Sequence, residues 1–328
     1  MLEEMGIPVD FIQAPKKVKY RYFWDFILFN KKTAEYLAAQ RPALVYASGY
    51  FAVKLIAPVV KKLGIPLIWH KHQIIERTPF SYLSRQVRYL ASYASRIICV
   101  SEASRQSMIR SGADPARTYT VHNGMEIPKV NLKAANAKVR RRHGIGKKFL
   151  CGTVGFFRRN KGFDTLLRAA HLVKKKDPDI RFMIVGKAES DAEYEQKLHG
   201  MHWELELEDT VIFTGKQDKY EYMPAFDLFV LPSYNEPFAL VVLESMSCGV
   251  PVLSFDSGGT AEAVTDGING FILKEMSAAA LAGRILELSK DRQLIKKAGR
   301  NALATIKKRF TVERQVREIK NIIESVII

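Results

Sequence analysis

Short apolar, β-branched runs alternate along this chain with longer stretches in which apolar residues recur every three or four positions. In the first half, IPVDFI (7–12), ALVYAS (43–48), IPLIWH (65–70), RIICV (96–100) and TYTVH (118–122) predict strands. Segments near 24–40, 51–63, 81–94 and 101–111 predict the helices between them. In the second half, FLCGTVG (149–155), IRFMIVG (180–186), TVIFT (210–214), DLFVLP (227–232) and VPVLSF (250–255) predict strands, with helices near 162–175, 191–201, 239–248 and 277–289. Strands that alternate with helices and are apolar throughout belong to parallel sheets covered on both faces. The polar stretch 128–148 separates the two sets and reads as a linker. The last segment, FTVERQVREIKNIIESVII, predicts a helix with Val316, Ile319, Ile322 and Ile323 on one stripe. The expected fold class is α/β, two doubly wound parallel-sheet domains facing across a cleft. Residues 1–145 form the first domain and 146–310 the second. Residues 311–328 form a C-terminal helix packing back toward the first.

Composition sharpens this picture. The 328 residues suffice for two cores. With 47% hydrophobic and 26% charged residues, the chain has a soluble globular composition. No apolar run approaches the ~20 residues of a membrane span, and MLEEMGIPVDF has no signal-peptide pattern. Cys99, Cys151 and Cys248 sit in or beside apolar runs without a CxxC pair, and are expected as buried, reduced thiols of a cytosolic protein. The net charge of +17 is unevenly spread: residues 1–148 carry 26 Lys+Arg against 9 Asp+Glu, and the remainder carries 25 of each. A basic half suits an anionic partner such as a membrane surface, a phosphorylated lipid or an acidic glycan. A solubilising surface charge is the plainer alternative.

In doubly wound sheets ligands bind beyond the carboxyl ends of the strands. The densest candidate chemistry lies there, in PSYNEPFALVVLESMSCGVPVLSFDSGGTAEAVTDGING (232–270). Glu236 falls in the loop after DLFVLP, just before a helix expected to begin near Phe238. Free N–H groups and the positive dipole end of that helix suit phosphate, and Glu236 can accept hydrogen bonds from sugar hydroxyls. Glu244, about two turns on, can take both ribose hydroxyls, as acidic residues do in nucleotide folds. The alternatives are a dipole-stabilised carboxylate for Glu236 and a solvated helix face for Glu244. Val242, Leu243 and Met246 around Glu244 argue against simple exposure.

This stretch resembles the signature of the group 1 (family 4) retaining glycosyltransferases of the GT-B fold, and the resemblance runs over nearly the whole chain. It implies that the first glutamate of Glu-x(7)-Glu contacts the donor sugar and the second the ribose. Pro237, Phe238, Ala239 and Leu240 would flank the donor, and Gly258-Gly259-Thr260-Ala261-Glu262 looks like the next loop closing near it. HNG (122–124) and VSEAS (100–104) are similar to family turns, and IVG and FTG, ending in Gly186 and Gly215, to strand ends lining the nucleotide site. GFFRRNKG (155–162) resembles the family's basic loop. By that resemblance Lys161 and Arg158 are cations aimed at the departing diphosphate, stabilising charge that grows in the transition state. Two positions depart from the common pattern. Phe156 stands where many members carry arginine, leaving the choice between Arg158 and Arg159 open, and Ala239 stands where glycine is frequent.

His72, after the strand IPLIWH, looks like the family's histidine beside the donor sugar, with His70 two residues before it. A metal-binding His-x-His would need one or two further ligands, and no His/Cys cluster supplies them. Asp177-Pro178-Asp179 reads as a turn before a strand, not as a metal-binding pair. Family members begin with a strand and a glycine-rich loop, and this sequence starts at what resembles the end of the following helix.

The expected activity is transfer of a sugar from a UDP- or GDP-sugar to a hydroxyl of a glycan or lipid-linked acceptor. Retention is implied by the family, and no residue is an obvious covalent nucleophile, so a front-face displacement assisted by the leaving phosphate is expected. Cell-envelope polysaccharide synthesis, lipopolysaccharide included, fits this chemistry. Neither cofactor nor metal is expected, nor nucleic acid, for which the aromatic-plus-basic signature is missing. The expected location is cytoplasmic, with peripheral contact at an anionic inner membrane face. The rival reading is a catalytically weak nucleotide-sugar-binding partner subunit with an incomplete acceptor site.

Overall fold

The computed structural model describes residues 23–75 and 82–327. The expected strand at 7–12 lies outside these. By packing, the chain divides into two compact units. One holds the described residues up to Val100, with 105–120 and those from Ile319 on; the other holds 101–104 and 121–318.

In the first unit, helices α1 (Phe23–Gln40), α2 (Tyr50–Leu63) and α3 (Tyr82–Ala91) accompany strands β1 (Val45–Ser48), β2 (Leu67–Lys71), β3 (Arg96–Cys99) and β4 (Thr118–Thr120). The strands form one parallel sheet in the order β1-β2-β3-β4. Every residue of β2 is buried, as expected for a strand covered on both faces. Trp69, Leu67 and Ile97 pack with Val53, Val60 and Val87 from α2 and α3 in the core. Helix α4 (Glu102–Arg110) follows β3 and begins in the second unit's share of the chain.

The second unit carries six parallel strands in the order β10-β9-β8-β5-β6-β7. They are β5 (Phe149–Val154), β6 (Ile180–Val185), β7 (Val211–Gly215), β8 (Leu228–Leu231), β9 (Val252–Phe255) and β10 (Gly270–Leu273). Helices α6 (Phe163–Lys174), α7 (Ala192–Glu204), α8 (Lys219–Tyr222) and α9 (Leu240–Ser247) lie between successive strands, and α10 (Ala278–Lys290) follows the last. The expected alternation of strand and helix is therefore present in both units. The reversal of strand order falls between β5 and β8, where doubly wound sheets open a crevice at their carboxyl edge.

Four elements were not anticipated, the short helix α8 among them. The polar stretch read as a linker contains helix α5 (Leu132–Arg142). It buries only Val139 and is held by Arg140, which donates to the Ala225 carbonyl at 3.0 Å and pairs with Asp227 at 2.6 Å. Eight of the basic residues counted with the first half, those between 121 and 148, thereby belong to the second unit. Strand β10 is only four residues long and begins with glycine. Helix α11 (Arg292–Arg309) buries Ile295, Ala298, Ala302 and Ile306 at helical spacing. Helix α12 (Val312–Ile327) covers the expected C-terminal stripe and buries none of its residues fully. No described helix is long and apolar enough to cross a membrane.

Candidate functional site

The carboxyl edge of the second sheet gathers most of the singled-out residues. After β5 the basic loop makes a 3-10 turn (Arg159–Lys161) closed by Gly162, whose φ of 66° begins α6. A Cβ on Gly162 would lie 2.0 Å from the Pro232 carbonyl oxygen, so only glycine lets this loop approach the one after β8. Tyr234 N–H donates to the Asn160 carbonyl at 2.8 Å and ties the same two loops. Across this junction Lys161 Nζ donates to the Glu236 carboxylate.

Glu236 is buried, 5% exposed, and its loop is held by further bonds. Its carbonyl accepts from Gly259 N–H at 2.8 Å, and its N–H reaches Ser257 Oγ at 3.4 Å. Asn235 before it has φ 58°, a left-handed conformation that asparagine tolerates better than most residues. Ala239 caps α9 without a side-chain hydrogen bond, so the helix opens with free N–H groups. Pro237 is half-buried and Leu240 exposed. Phe238 is buried in an aromatic cluster, with ring centroids 5.1 Å from His122 and 5.8 Å from Phe310.

Glu244 lies about one turn into α9 and is buried. Val242, Leu243 and Met246, all essentially inaccessible, anchor this helix at roughly 1.5–3 kcal/mol each. Its carboxylate meets Lys219 Nζ at 2.6 Å. Lys219 is the first residue of α8, a short helix capped by Asp218. Both lysine and cap line a cavity of about 360 Å³ at the carboxyl ends of β5, β6 and β7. Val154, Phe156, Val185 and Gly186 supply its apolar wall, and Lys187 and Lys216 add two more cations. Gly186 N–H donates to the Gly215 carbonyl at 2.9 Å, joining the two expected glycines at the strand ends.

The loop Gly258–Glu262 divides its labour. Gly259 backs onto the Pro237 carbonyl, 2.0 Å from where a Cβ would stand, so the loop packs flush against the Glu236 segment. Gly258 beside it has φ 60°. Glu262 instead accepts from the N–H groups of Glu102 and Ala103, at 2.8 and 2.9 Å, at the start of α4. It also meets His122 Nε2 at 2.6 Å. This glutamate caps a helix, where a carboxylate is favoured by the dipole.

Arg158 and Arg159 both carry acidic partners. Arg158 donates to Glu189, both side chains being more than half exposed. Arg159 lies 3.5 Å from Asp191, with its guanidinium 5.4 Å from the Tyr194 ring.

In the first unit, His70 and His72 share the carboxyl end of β2, their rings 4.2 Å apart. Ser48 Oγ lies 3.0 Å from His72 Nε2 and Tyr46 OH 2.6 Å from His70 Nδ1. Burial, with His72 adding to it, pushes His70 down to about 4. Burial, then the neighbouring Lys71 charge, also lowers His72. Both imidazoles are therefore neutral hydrogen-bonding groups near pH 7. Lys71 between them is buried, donates to Gln73 Oε1 at 3.0 Å, and is pushed by burial down to about 8.

A larger concavity of about 510 Å³ lies at the opposite edge of the second sheet, at the amino ends of β5 and β6. It holds none of the expected site residues. Asp177 there accepts from Asp179 N–H at 3.0 Å, the turn expected for Asp-Pro-Asp. Among the described residues no group of three or more His, Cys, Asp or Glu is placed to hold a metal ion.

The family model for glycosyl transferases group 1 matches residues 136–305, and that for Glycosyltransferase Family 4 matches 3–127. The chain belongs to the group 1 glycosyltransferases. A family relative, the D-inositol 3-phosphate glycosyltransferase of Streptomyces bingchenggensis, is 31% identical over 64% of this chain and 48% of its own length. The chain thus spans about half of that relative. The N-acetyl-alpha-D-glucosaminyl L-malate synthase of Bacillus anthracis is 25% identical over 99% of this chain and 91% of its own length. Among solved structures, Anabaena HepE in complex with UDP and glucose superposes with a TM-score of 0.84 at 28% identity, over 99% of this chain and 88% of that one. Sucrose-phosphate synthase from Thermosynechococcus elongatus, at 21% identity over 96% of this chain and 82% of its own, shares the fold with a TM-score of 0.80. The fold is the GT-B fold of these glycosyltransferases.

Sequence reasoning missed the residues that hold Glu236 and Glu244 in place. Ser257 was not singled out, although it adjoins the Gly-Gly pair that was. Lys219 follows the FTG strand end by four positions, and a capped short helix at a strand's carboxyl end was the available signal. The buried hydroxyls of Ser233 and Thr260, without hydrogen-bond partners, also lie in these loops.

Proposed function

We propose that this protein transfers a sugar from a UDP- or GDP-sugar to a hydroxyl of a glycan or lipid-linked acceptor, with retention at the anomeric carbon. The observation that carries the donor part is the convergence of Lys161, Glu236, Glu244 and an apolar cavity rimmed by cations on one sheet edge. In this reading the nucleoside enters the cavity and its diphosphate lies toward Lys161, with Arg158 the second cation in reach once released from Glu189. Fixed cations at the leaving oxygen favour the transition state over the ground state, because charge accumulates there only as the glycosidic bond breaks. Glu236, buried and already paired, offers its second carboxylate oxygen to a sugar hydroxyl. In the first unit the candidate is His72, a neutral imidazole able to hydrogen-bond a sugar. Attack from the face of the departing phosphate needs no enzyme nucleophile and no metal, since Lys161 and Arg158 supply the positive charge.

The UDP in the HepE structure supports a uridine donor. A capsular polysaccharide glycosyltransferase of Staphylococcus aureus, 22% identical over 66% of this chain and 58% of its own length, supports an envelope polysaccharide role. An anionic surface as partner is supported by α3, which buries Ser84, Val87, Leu90 and Ala91 and turns Tyr82, Arg85, Arg88 and Tyr89 outward. Mass-spectrometric screening of nucleotide-sugars for released nucleotide, with and without lipid-linked acceptors, tests the proposal. Nucleotide binding without any turnover would favour a partner subunit instead.

A further inference from the structure

The resemblance implies that the second glutamate contacts the ribose, and here one of its two oxygens already has a partner. Glu244 Oε1 already accepts from Lys219 Nζ at 2.6 Å, and Glu244 is 8% exposed, so water replaces that partner poorly. Lys219 is better placed to meet a ligand than the glutamate: its side chain is 39% exposed and it lines the 360 Å³ cavity. An ammonium has three donors. One is spent on Glu244, which leaves two for other partners, and the Nζ also lies 5.2 Å from the centroid of the Tyr220 ring.

We infer that Lys219 and Glu244 form a two-residue ribose clamp, in which Glu244 accepts from one ribose hydroxyl and Lys219 donates to the oxygen of the other. This rests on the donor reading above and changes its chemistry. A lone bidentate carboxylate reads both hydroxyls as donors. The clamp reads one as donor and the other as acceptor, so the two hydroxyls are recognised by different residues. Lys219 also offsets the cost of holding the Glu244 carboxylate out of water.

The test is calorimetric binding of UDP and GDP, each beside its 2′-deoxy and 3′-deoxy forms, to the full chain and to Lys219→Met, Lys219→Arg and Glu244→Gln. Wild type is expected to bind each parent nucleotide about tenfold or more tighter than either deoxy form, as for hydrogen bonds to charged groups. Lys219→Met should weaken the parent about tenfold and abolish discrimination against one deoxy form only. Glu244→Gln should weaken discrimination against the other, and Lys219→Arg should retain much of both. Thermal unfolding of each variant separates binding loss from misfolding.

Discrimination intact in Lys219→Met, or lost for both hydroxyls in Glu244→Gln alone, would overturn the clamp and leave the donor site standing. So would an equal weakening of parent and deoxy forms in Lys219→Met, which marks a general charge effect. No binding of either nucleotide by wild type, or an unaltered Kd in Glu244→Gln, would remove the donor reading and the clamp with it.

Discussion

Lys161 and Glu236 are 75 positions apart in sequence and form an ion pair between the loops after β5 and β8. The carboxylate side chain is 7% exposed and the lysine 26%, so the pair is largely withdrawn from water. Such a pair gives little net stability, but removing one partner strands the other charge.

Lys161→Ala is therefore expected to destabilise the fold by about 2–4 kcal/mol and to lower kcat by roughly 100-fold or more, the loss typical of a missing transition-state cation or donor. Urea unfolding and steady-state kinetics measure the two separately. A kcat within a few-fold of wild type would take Lys161 out of the chemistry and leave it as Glu236's counterion.

Gly162→Ala tests the loop junction itself. A left-handed φ costs an L-residue about 1–2 kcal/mol, and the Pro232 carbonyl 2.0 Å away adds a clash. A loss of about 2–4 kcal/mol is expected, with impaired turnover because Lys161 precedes the glycine. Stability equal to wild type in chemical denaturation would show that the two loops separate freely.

Glu262 satisfies two N–H groups of α4 and one imidazole. Its replacement by alanine should cost about 2–4 kcal/mol, since three polar groups lose a partner. Glu262→Gln, which keeps an acceptor, should recover part of that loss. Identical unfolding midpoints for the two variants would argue against the capping role.

Acid should weaken the first unit through His70. Its folded-state value, about 4, lies below the ordinary 6.5, so between those values the unfolded chain binds more protons than the native one. Stability is full above pH 6.5 and falls as pH drops toward 4, by on the order of 3 kcal/mol at most. His72, lowered in the same direction, adds to the slope. Melting temperatures from pH 4 to 7.5 should fall less steeply in His70→Gln than in wild type. Parallel curves would show that His70 is not held neutral.

Much of the fold was legible because it is written in local periodicity. Apolar runs such as IRFMIVG can only be buried strands, and nine of the ten described strands follow from such runs. The tenth, β10, offers four residues and a leading glycine, too little pattern to separate from a turn. Helix α5 escaped notice because it buries a single residue, Val139, and is held by the hydrogen bonds of Arg140 instead of an apolar stripe. At the candidate site, Glu236 and Glu244 were singled out because both sit in one segment after a strand and resemble the family's Glu-x(7)-Glu.

By itself the sequence determined the alternation of strand and helix, the two parallel sheets and the position of each loop at a strand's carboxyl end, since all of these depend on neighbours a few residues apart. Only the tertiary structure decided which loops meet. Strand β5 lies between β6 and β8, and this order brings Lys161 to Glu236 and leaves Glu244 to Lys219, 25 positions earlier. Glu262 likewise meets an amide 160 positions away. Side chains that far apart in the chain carry no mutual pattern, and their pairing is set by the packing of the elements that present them.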